Sequence, residues 1–364
     1  MMPQVVVFSD KVGRGKTTVL KQWLKNRKTV GGVLSPKIDG KRYFELISSG
    51  EFIPMETETA TMEIGKFRFD SDNFKRAENA LKDDWINPAL QIIILDEVGP
   101  LEIKKKQGFH SFLEHIQNEE VFTEKTLIVV VRDYCLQDFI SSYTFENIKV
   151  FTENDLGETP LQRPVGIVLC GGRSERMQTD KALLNYHCMP QWKYVFNLLE
   201  PFCKTVYLSL NSDQIAEWTI PESAPKIVDD QSFKNHGPMT GLMSVLERVG
   251  ERSVFVVACD YPLLRMEHLL ALAKARAVKK DVVAYKNNGW PEPLISIFEG
   301  TAFPKLKDYF SRGNDSMAKF IRAVDTEYVE VSSPEFLRNV NSREEFEVLR
   351  TELKDDKGNH YNQK

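Results

Sequence analysis

The chain has little of several things, and each shortage narrows what it can be. No apolar run approaches the ~20 residues needed to cross a bilayer, and Met1-Met2-Pro3-Gln4 has no signal-peptide shape. The expectation is a cytoplasmic protein without a membrane partner. Cysteine is scarce: five residues in 364, at irregular spacing, form neither a disulfide framework nor a zinc pattern. Cys135, Cys170, Cys188, Cys203 and Cys259 read as reduced core residues. Charge of one sign is also missing. The formal net charge is only -4, so no whole-chain basic field argues for nucleic acid. What is present is length, which suits two domains better than one.

Both halves alternate apolar strands with helical patterns. Such an order predicts α/β architecture: two three-layer α/β/α domains, each with a mainly parallel sheet covered on both faces. In the first half, strands are predicted at Val5–Phe8, Ile92–Leu95 and Leu127–Val131, with helices at Thr17–Lys25 and Asn73–Leu81 and antiparallel additions at Arg42–Ser48 and Lys66–Asp70. In the second, strands are predicted at Val165–Leu169, Val206–Leu210, Lys226–Val228, Val254–Ala258, Val282–Tyr285, Leu294–Phe298 and Tyr328–Val331. Helices fit Trp192–Phe202, Thr240–Val249, Met266–Val278 and Asp315–Arg322. The polar, Gly- and Pro-punctuated stretch 154–164 reads as a linker between domains at 1–153 and 165–347. The segment 348–364 reads as a charged tail, frayed from about Lys354.

Ligands of such sheets lie beyond the carboxyl ends of the strands, and two glycine loops fall there. The first is Ser9-Asp10-Lys11-Val12-Gly13-Arg14-Gly15-Lys16-Thr17-Thr18, a near match to G-x-x-x-x-G-K-[ST]. In this reading Gly13, Gly15 and Thr18 cradle phosphates through backbone N–H groups at a helix start, Lys16 reaches the β- and γ-phosphates, and the Thr17 hydroxyl ligates magnesium. Asp96, ending an apolar strand, can hold that Mg2+ through water, and Glu97 can orient the attacking water. One departure stands out. Asp10 occupies the position of the first glycine and brings negative charge toward the phosphates.

The second loop follows the strand Val165–Leu169: Cys170-Gly171-Gly172-Arg173-Ser174-Glu175-Arg176-Met177-Gln178-Thr179-Asp180-Lys181. Gly171 and Gly172 let backbone N–H groups approach phosphates, and Arg173, Arg176 and Lys181 bring positive charge. Further pieces end other strands: Asn211, Asp229-Asp230, and Ala258-Cys259-Asp260-Tyr261-Pro262. His236-Gly237-Pro238-Met239-Thr240-Gly241 opens a helix. Asp260 is a hard oxygen at a strand end beside a phosphate loop and suits magnesium. Asp229 and Asp230 taken singly could equally be turn formers, and His236 reads first as a loop residue. Asn314-Asp315-Ser316 reads first as an N-cap.

These motifs carry two resemblances. Gly13 to Thr18, Gly31-Gly32-Val33-Leu34-Ser35-Pro36 and Leu95 to Glu102 resemble P-loop nucleoside-triphosphatases of the thermophilic NTPase family. That resemblance implies slow hydrolysis of NTPs, ATP or GTP. A phosphate loop also occurs in the GTP-binding adaptor protein of molybdenum cofactor assembly, which keeps a regulatory or delivery module without turnover as an alternative.

Residues 165–345 resemble molybdenum cofactor guanylyltransferase, within the small Rossmann-like nucleotidyltransferases. The match rests on Leu169 to Met177 with Asp180-Lys181, Gly237 to Gly241, Cys259 to Pro262, Pro291-Glu292-Pro293-Leu294 and Asn339-Val340-Asn341. Cys170 departs from a usual alanine and Gln178 from a usual glycine. The resemblance implies that the terminal phosphate of molybdopterin attacks the α-phosphorus of GTP and pyrophosphate leaves. Leu169, Gly171, Gly172, Asn211, Asp230 and Gly237 would then hold the nucleotide. Arg176 and Lys181 would neutralise phosphate charge, and Asp260 would bind Mg2+. Partners implied are molybdopterin and, beyond it, molybdoenzymes or other cofactor-biosynthesis proteins. A cytidylyltransferase or sugar-phosphate nucleotidyltransferase is the alternative.

Overall fold

The computed structural model describes residues 4–10, 15–25, 27–56, 62–64, 67–118, 125–145, 148–156, 161–171, 180–277, 279–340 and 342–362, with the side chains of 62–64, 67 and 354–362 left aside. The chain divides into two compact units, Met1–Pro160 and Leu161–Lys364. Among the described residues no helix is long and apolar enough to cross a membrane.

The strands of the first unit are β1 (Gln4–Asp10), β2 (Val30–Leu34), β3 (Lys37–Ile38), β4 (Lys41–Leu46), β5 (Phe52–Pro54), β6 (Met62–Ile64), β7 (Phe67–Phe69), β8 (Ile92–Val98), β9 (Thr126–Arg132) and β10 (Ile148–Phe151). The main sheet runs β10-β1-β9-β8-β2-β4-β3, with β5 on β4. β10, β1, β9, β8 and β2 pair in parallel, and β4 joins β2 antiparallel. Successive strand residues face opposite sides of a sheet. Val5 and Val7 on one side and Val6 and Phe8 on the other are all buried, so both faces are covered. Val6 and Phe8 pack with Leu20 of the helix Lys16–Leu24 and with Ile94, Ile128 and Val130.

Two expectations are corrected here. β7 was expected to extend the main sheet, yet it pairs only with β6 among the described strands. β2 was not anticipated as a strand at all, because glycine is poor strand material. Packing explains it. A Cβ on Gly31 would lie 2.5 Å from the Asp84 carboxylate, and one on Gly32, at φ 111°, would lie 2.1 Å from the Ile94 carbonyl oxygen. Asp84 Oδ2 accepts the Gly32 N–H at 2.6 Å.

The second unit holds β11 (Val165–Leu169), β12 (Val206–Leu210), β13 (Lys226–Val228), β14 (Val254–Ala258), β15 (Val282–Asn287), β16 (Trp290–Phe298) and β17 (Thr326–Glu330), in sheet order β13-β12-β11-β14-β16-β15-β17. β13, β12, β11 and β14 are parallel, and β16 runs against both β14 and β15. The carboxyl ends of β11, β12 and β14 therefore open on one edge, where the glycine loop begins.

The helix from Met266 ends at Ala275 rather than Val278. Arg276 leaves the helix to form a buried ion pair with Glu299, Nε to Oε1 at 2.7 Å, and its Nη1 donates to the Gln162 carbonyl. The tail is helical in its backbone from Arg343 to Asn362, not frayed from Lys354. Leu349 anchors it on Tyr186 and Val340, with Phe346 and Leu353 packed alongside. None of the five cysteines is in a disulfide. Four are buried as expected, but Cys188 is exposed, at φ 60° in a turn.

Candidate functional site

In the first unit, Gly15 sits at φ 80° immediately before the helix Lys16–Leu24, a left-handed conformation that glycine adopts at no steric cost. Lys16 folds back so that its Nζ donates to the Asp10 carbonyl at 2.8 Å. Burial lowers the pKa of Lys16, against the opposing pull of Asp10 and Asp96. Asp10 itself is buried. Gly13 lies outside the described residues.

Thr17 Oγ1 donates to Asp96 Oδ2 at 2.7 Å, which joins the phosphate-loop helix to the end of β8. The Ser35 N–H donates to the same oxygen at 3.0 Å. Asp96 is buried, and desolvation pushes its pKa up to about 6 in spite of those two bonds. Glu97 follows at φ 70°, where the register of β8 against β9 shifts. Its Oε1 lies 2.7 Å from Arg132 Nη2 and 3.6 Å from Arg42 Nη1. A cavity of about 500 Å3 is lined by Gly15, Lys16, Thr17 and Thr18 together with Arg42, Asp96, Glu97 and Arg132.

A magnesium ion takes hard oxygen ligands and keeps room for substrate phosphates. The adjacent Thr17 hydroxyl and Asp96 carboxylate are such a pair. Among the described residues no three His, Cys, Asp or Glu side chains cluster as in an all-protein metal cage, and a site completed by phosphates does not need one.

In the second unit, Leu169 and Cys170 are buried at the end of β11 and Gly171 emerges from them. A Cβ on Gly171 would sit 3.7 Å from Asp229 Oδ2. Gly172, Arg176 and Gln178 lie outside the described residues. The chain returns at Asp180, whose Oδ1 accepts the Ala182 N–H and sets the short turn that carries Lys181. Lys181 Nζ donates to Asn339 Oδ1 at 3.0 Å and lies 3.8 Å from Asp260 Oδ1. Asn339 Nδ2 in turn donates to Asp260 Oδ2 at 3.3 Å. Three motifs far apart in sequence thus converge beyond β14. Asp260 does not cap the following helix, whose N-cap is Arg265, so its carboxylate is available to this cluster. Asn341 lies outside the described residues.

The base-side residues have defined local partners. Asn211 Oδ1 caps the helix Ser212–Glu217. Asp230 is exposed, and its Oδ1 accepts from both the N–H and Oγ of Ser232, which lowers its pKa. Asp229 is half-buried with a raised pKa and accepts from Ser209 Oγ at 2.9 Å. Gly237 adopts φ 57° and Pro238 starts the next helix. A Cβ on Gly241 would meet Ser209 Oγ at 2.4 Å and Leu169 Cδ2 at 2.8 Å, so this helix closes directly onto β11 and β12. His236 Nδ1 lies 3.1 Å from Asp315 Oδ2, and Ser316, within the segment read as an N-cap, caps the helix Met317–Ala323.

Several residues escaped the sequence reading. Gln214 Nε2 donates to the Cys170 carbonyl at 2.9 Å and to Asp180 Oδ2 at 2.6 Å, tying both ends of the glycine loop. Its Oε1 accepts the Asn211 N–H, completing a capping box. The spacing Asn211-x-x-Gln214 was the available signal. His187, Gln191 and Tyr194 hold the carbonyls of Pro262, Tyr261 and Leu264, and so brace the segment after Asp260. Arg42 and Arg132 carried no local motif.

Comparison with known proteins agrees with this division. Residues 166–330 match the MobA-like NTP transferase domain, and residues 5–155 match the NTPase family. The molybdenum cofactor biosynthesis bifunctional protein of Synechocystis is 29% identical over 229 residues, 60% of this chain; the match spans 62% of that relative, less than two thirds of its length. A probable molybdenum cofactor guanylyltransferase of Nostoc is 28% identical over 200 residues, 52% of this chain and 91% of the relative. The molybdenum cofactor guanylyltransferase of Campylobacter jejuni subsp. doylei is 24% identical over 188 residues, 52% of this chain and 96% of the relative. With strand ends and side chains disposed as above, residues 166–330 are a MobA-like NTP transferase domain and residues 5–155 an NTPase domain.

Proposed function

We propose that the second unit transfers GMP from GTP to molybdopterin, with release of pyrophosphate, and that the first unit hydrolyses NTP. The observation that carries the first reading is the Lys181–Asp260–Asn339 cluster at the strand ends beside Gly171. Nucleotidyl transfer needs positioning and charge neutralisation more than covalent help. Gly171 and Gly172 hold the triphosphate. Lys181 and Arg176 neutralise charge on the α-phosphate and on the leaving pyrophosphate. Asp260 holds magnesium, which when bound screens the phosphate charge. A phosphate oxygen of molybdopterin attacks the α-phosphorus, and the bond to the β-phosphate breaks. Asp230, whose charged form the Ser232 hydrogen bonds favour, accepts from the N1–H and 2-amino group of guanine, which cytosine does not present. Asn211 and Gly237 border the nucleoside.

In the first unit, Lys16 and the N–H groups of Gly13, Gly15 and Thr18 bind the phosphates, Thr17 and Asp96 hold magnesium, and Glu97 orients water. Fusion of the two units supports a shared role in cytoplasmic cofactor assembly.

The test uses the full chain with magnesium. Pyrophosphate release is measured with GTP, CTP and ATP, with and without molybdopterin, beside phosphate release from each NTP. Expected are molybdopterin-dependent pyrophosphate release with GTP, abolished in Asp260→Asn, and phosphate release lost in Lys16→Ala. Pyrophosphate release with CTP in place of GTP would make the second unit a cytidylyltransferase. Nucleotide binding without phosphate release would make the first a delivery module.

A further inference from the structure

Arg132 is the last residue of β9, and β9 lies between β1, which feeds the phosphate loop, and β8, which ends in Asp96-Glu97. It is in register with Asp10, where the phosphate loop begins. Sheet order therefore ends β9 between the strand that feeds the phosphate loop and the strand that carries the acidic pair, and Arg132 lines the cavity that Lys16 and Thr17 also line. Its guanidinium is held on two sides. Its Nη2 lies 2.7 Å from Glu97 Oε1, and its Nη1 donates to the Tyr134 hydroxyl at 3.1 Å. Glu97 makes this contact from a left-handed backbone, φ 70°, which a non-glycine residue seldom adopts. Backbone strain of this kind clusters at active sites and ligand clamps. Arg42 Nη1 approaches the same carboxylate oxygen, at 3.6 Å.

A planar guanidinium that is always charged can grip a phosphoryl group bidentately, as lysine cannot. Resting on the NTPase reading of the first unit, we propose that Arg132 is a catalytic residue of that site, supplied by the same chain: it stabilises the γ-phosphoryl group in flight while its contact with Glu97 aims that carboxylate at the attacking water. The water oxygen bonds to the γ-phosphorus, the bond from the γ-phosphorus to the bridging oxygen breaks, and the electron pair leaves with the nucleoside diphosphate. The water proton passes through Glu97 to solvent. Arg42 adds charge at the same oxygen and acts beside Arg132.

The test is phosphate release from ATP and GTP by the full chain carrying Arg132→Ala, Arg132→Lys, Glu97→Gln and the Arg132→Ala/Glu97→Gln pair, with binding of a non-hydrolysable NTP followed in parallel. Transition-state arginines are worth roughly 10^3-fold in kcat or more. Arg132→Ala is expected to lose about that much in kcat while nucleotide affinity changes by about threefold or less. Added guanidinium ion should restore part of the rate, and Arg132→Lys should fall between. In the Glu97→Gln background, removing Arg132 should lower the rate further. A merely structural counter-ion predicts no further loss, because with Glu97 neutral Arg132 would have nothing left to balance. The inference is overturned if Arg132→Ala and Arg132→Lys both keep kcat near wild type, or if the double variant equals Glu97→Gln. Should an Arg132→Ala chain fail to fold by circular dichroism, the Arg132→Lys rate decides. If the wild type binds NTP yet releases no phosphate, the NTPase reading falls and the inference with it. That outcome differs from an active wild type whose arginine variants are unaffected.

Discussion

Lys181 Nζ and Asn339 Oδ1 lie 3.0 Å apart although 158 residues separate them in sequence. The amide of Asn339 bridges two opposite charges: its oxygen takes the lysine and its nitrogen donates to Asp260. A neutral bridge keeps Lys181 and Asp260 close, at 3.8 Å, without collapsing them into a tight ion pair. Asn339 thus holds both charged side chains in one cluster beyond β14.

This gives the first prediction. Asn339→Ala should lower kcat/KM for pyrophosphate release from GTP by about 10- to 100-fold, the usual cost of removing a residue that orients a ligand-holding group. Asn339→Asp should do worse, since a second carboxylate would trap the lysine and repel Asp260. Activity of Asn339→Asp at the wild-type level would show that the bridge is incidental.

A second prediction concerns Gln214, which binds Asn211, the Cys170 carbonyl and Asp180 with one buried side chain. Gln214→Ala leaves a buried carbonyl and a backbone N–H without their partner, at about 1–3 kcal/mol each. The urea midpoint of the second unit should fall, and KM for GTP should rise more than kcat falls, because the loop is released rather than the chemistry. Gln214→Glu should be more damaging, placing a carboxylate where the Nε2 now meets Asp180 at 2.6 Å. An unchanged KM in both variants would mean that the loop is positioned by other contacts.

Much of the strand pattern was legible because buried parallel strands are continuous apolar runs. Val165–Leu169, Val206–Leu210, Lys226–Val228 and Val254–Ala258 each coincide with an observed strand. What escaped was set by tertiary packing. β2 contains Gly31 and Gly32 because Asp84 and Ile94 leave no space for a Cβ. The antiparallel sense of β16 is not encoded in its own residues. The same division holds at the sites. Local motifs such as Gly15-Lys16-Thr17 and Asp260-Tyr261-Pro262 announced themselves at strand ends. Arg42 and Arg132 did not, because only the order β1-β9-β8-β2-β4 brings their guanidinium groups to one carboxylate oxygen.

The packing account of β2 is itself testable. Gly32→Ala would combine a left-handed backbone, φ 111°, with a Cβ 2.1 Å from the Ile94 carbonyl oxygen. Both mechanisms belong to the short list that produces large losses, and the variant should lose on the order of 4 kcal/mol or not accumulate in folded form. Gly40→Ala is the control: φ 83°, but open space around the new Cβ. It should lose only about 1–2 kcal/mol, from the backbone alone. Equal urea midpoints for the two variants would remove the steric argument.

The last prediction is a pH dependence. Glu102 is buried behind the acidic pair of the first unit, accepting the N–H groups of Gly99 and Phe109. Burial pushes its pKa up to about 7 from 4.5, in spite of those bonds. A carboxyl whose folded pKa is raised binds more protons folded than unfolded between the two values. Stability therefore falls as pH climbs through that window and is level above it. The contribution present below about pH 4.5 and lost by about pH 7 is roughly 3 kcal/mol for a shift of this size. Glu102→Gln cannot ionise, so it should match wild type near pH 5 and become the more stable of the two toward pH 8. Scanning calorimetry of both full chains between pH 5 and pH 8 isolates the carboxyl in the difference between the curves. A difference that stays flat, or that favours wild type as pH rises, would mean that Glu102 is already ionised in the folded protein.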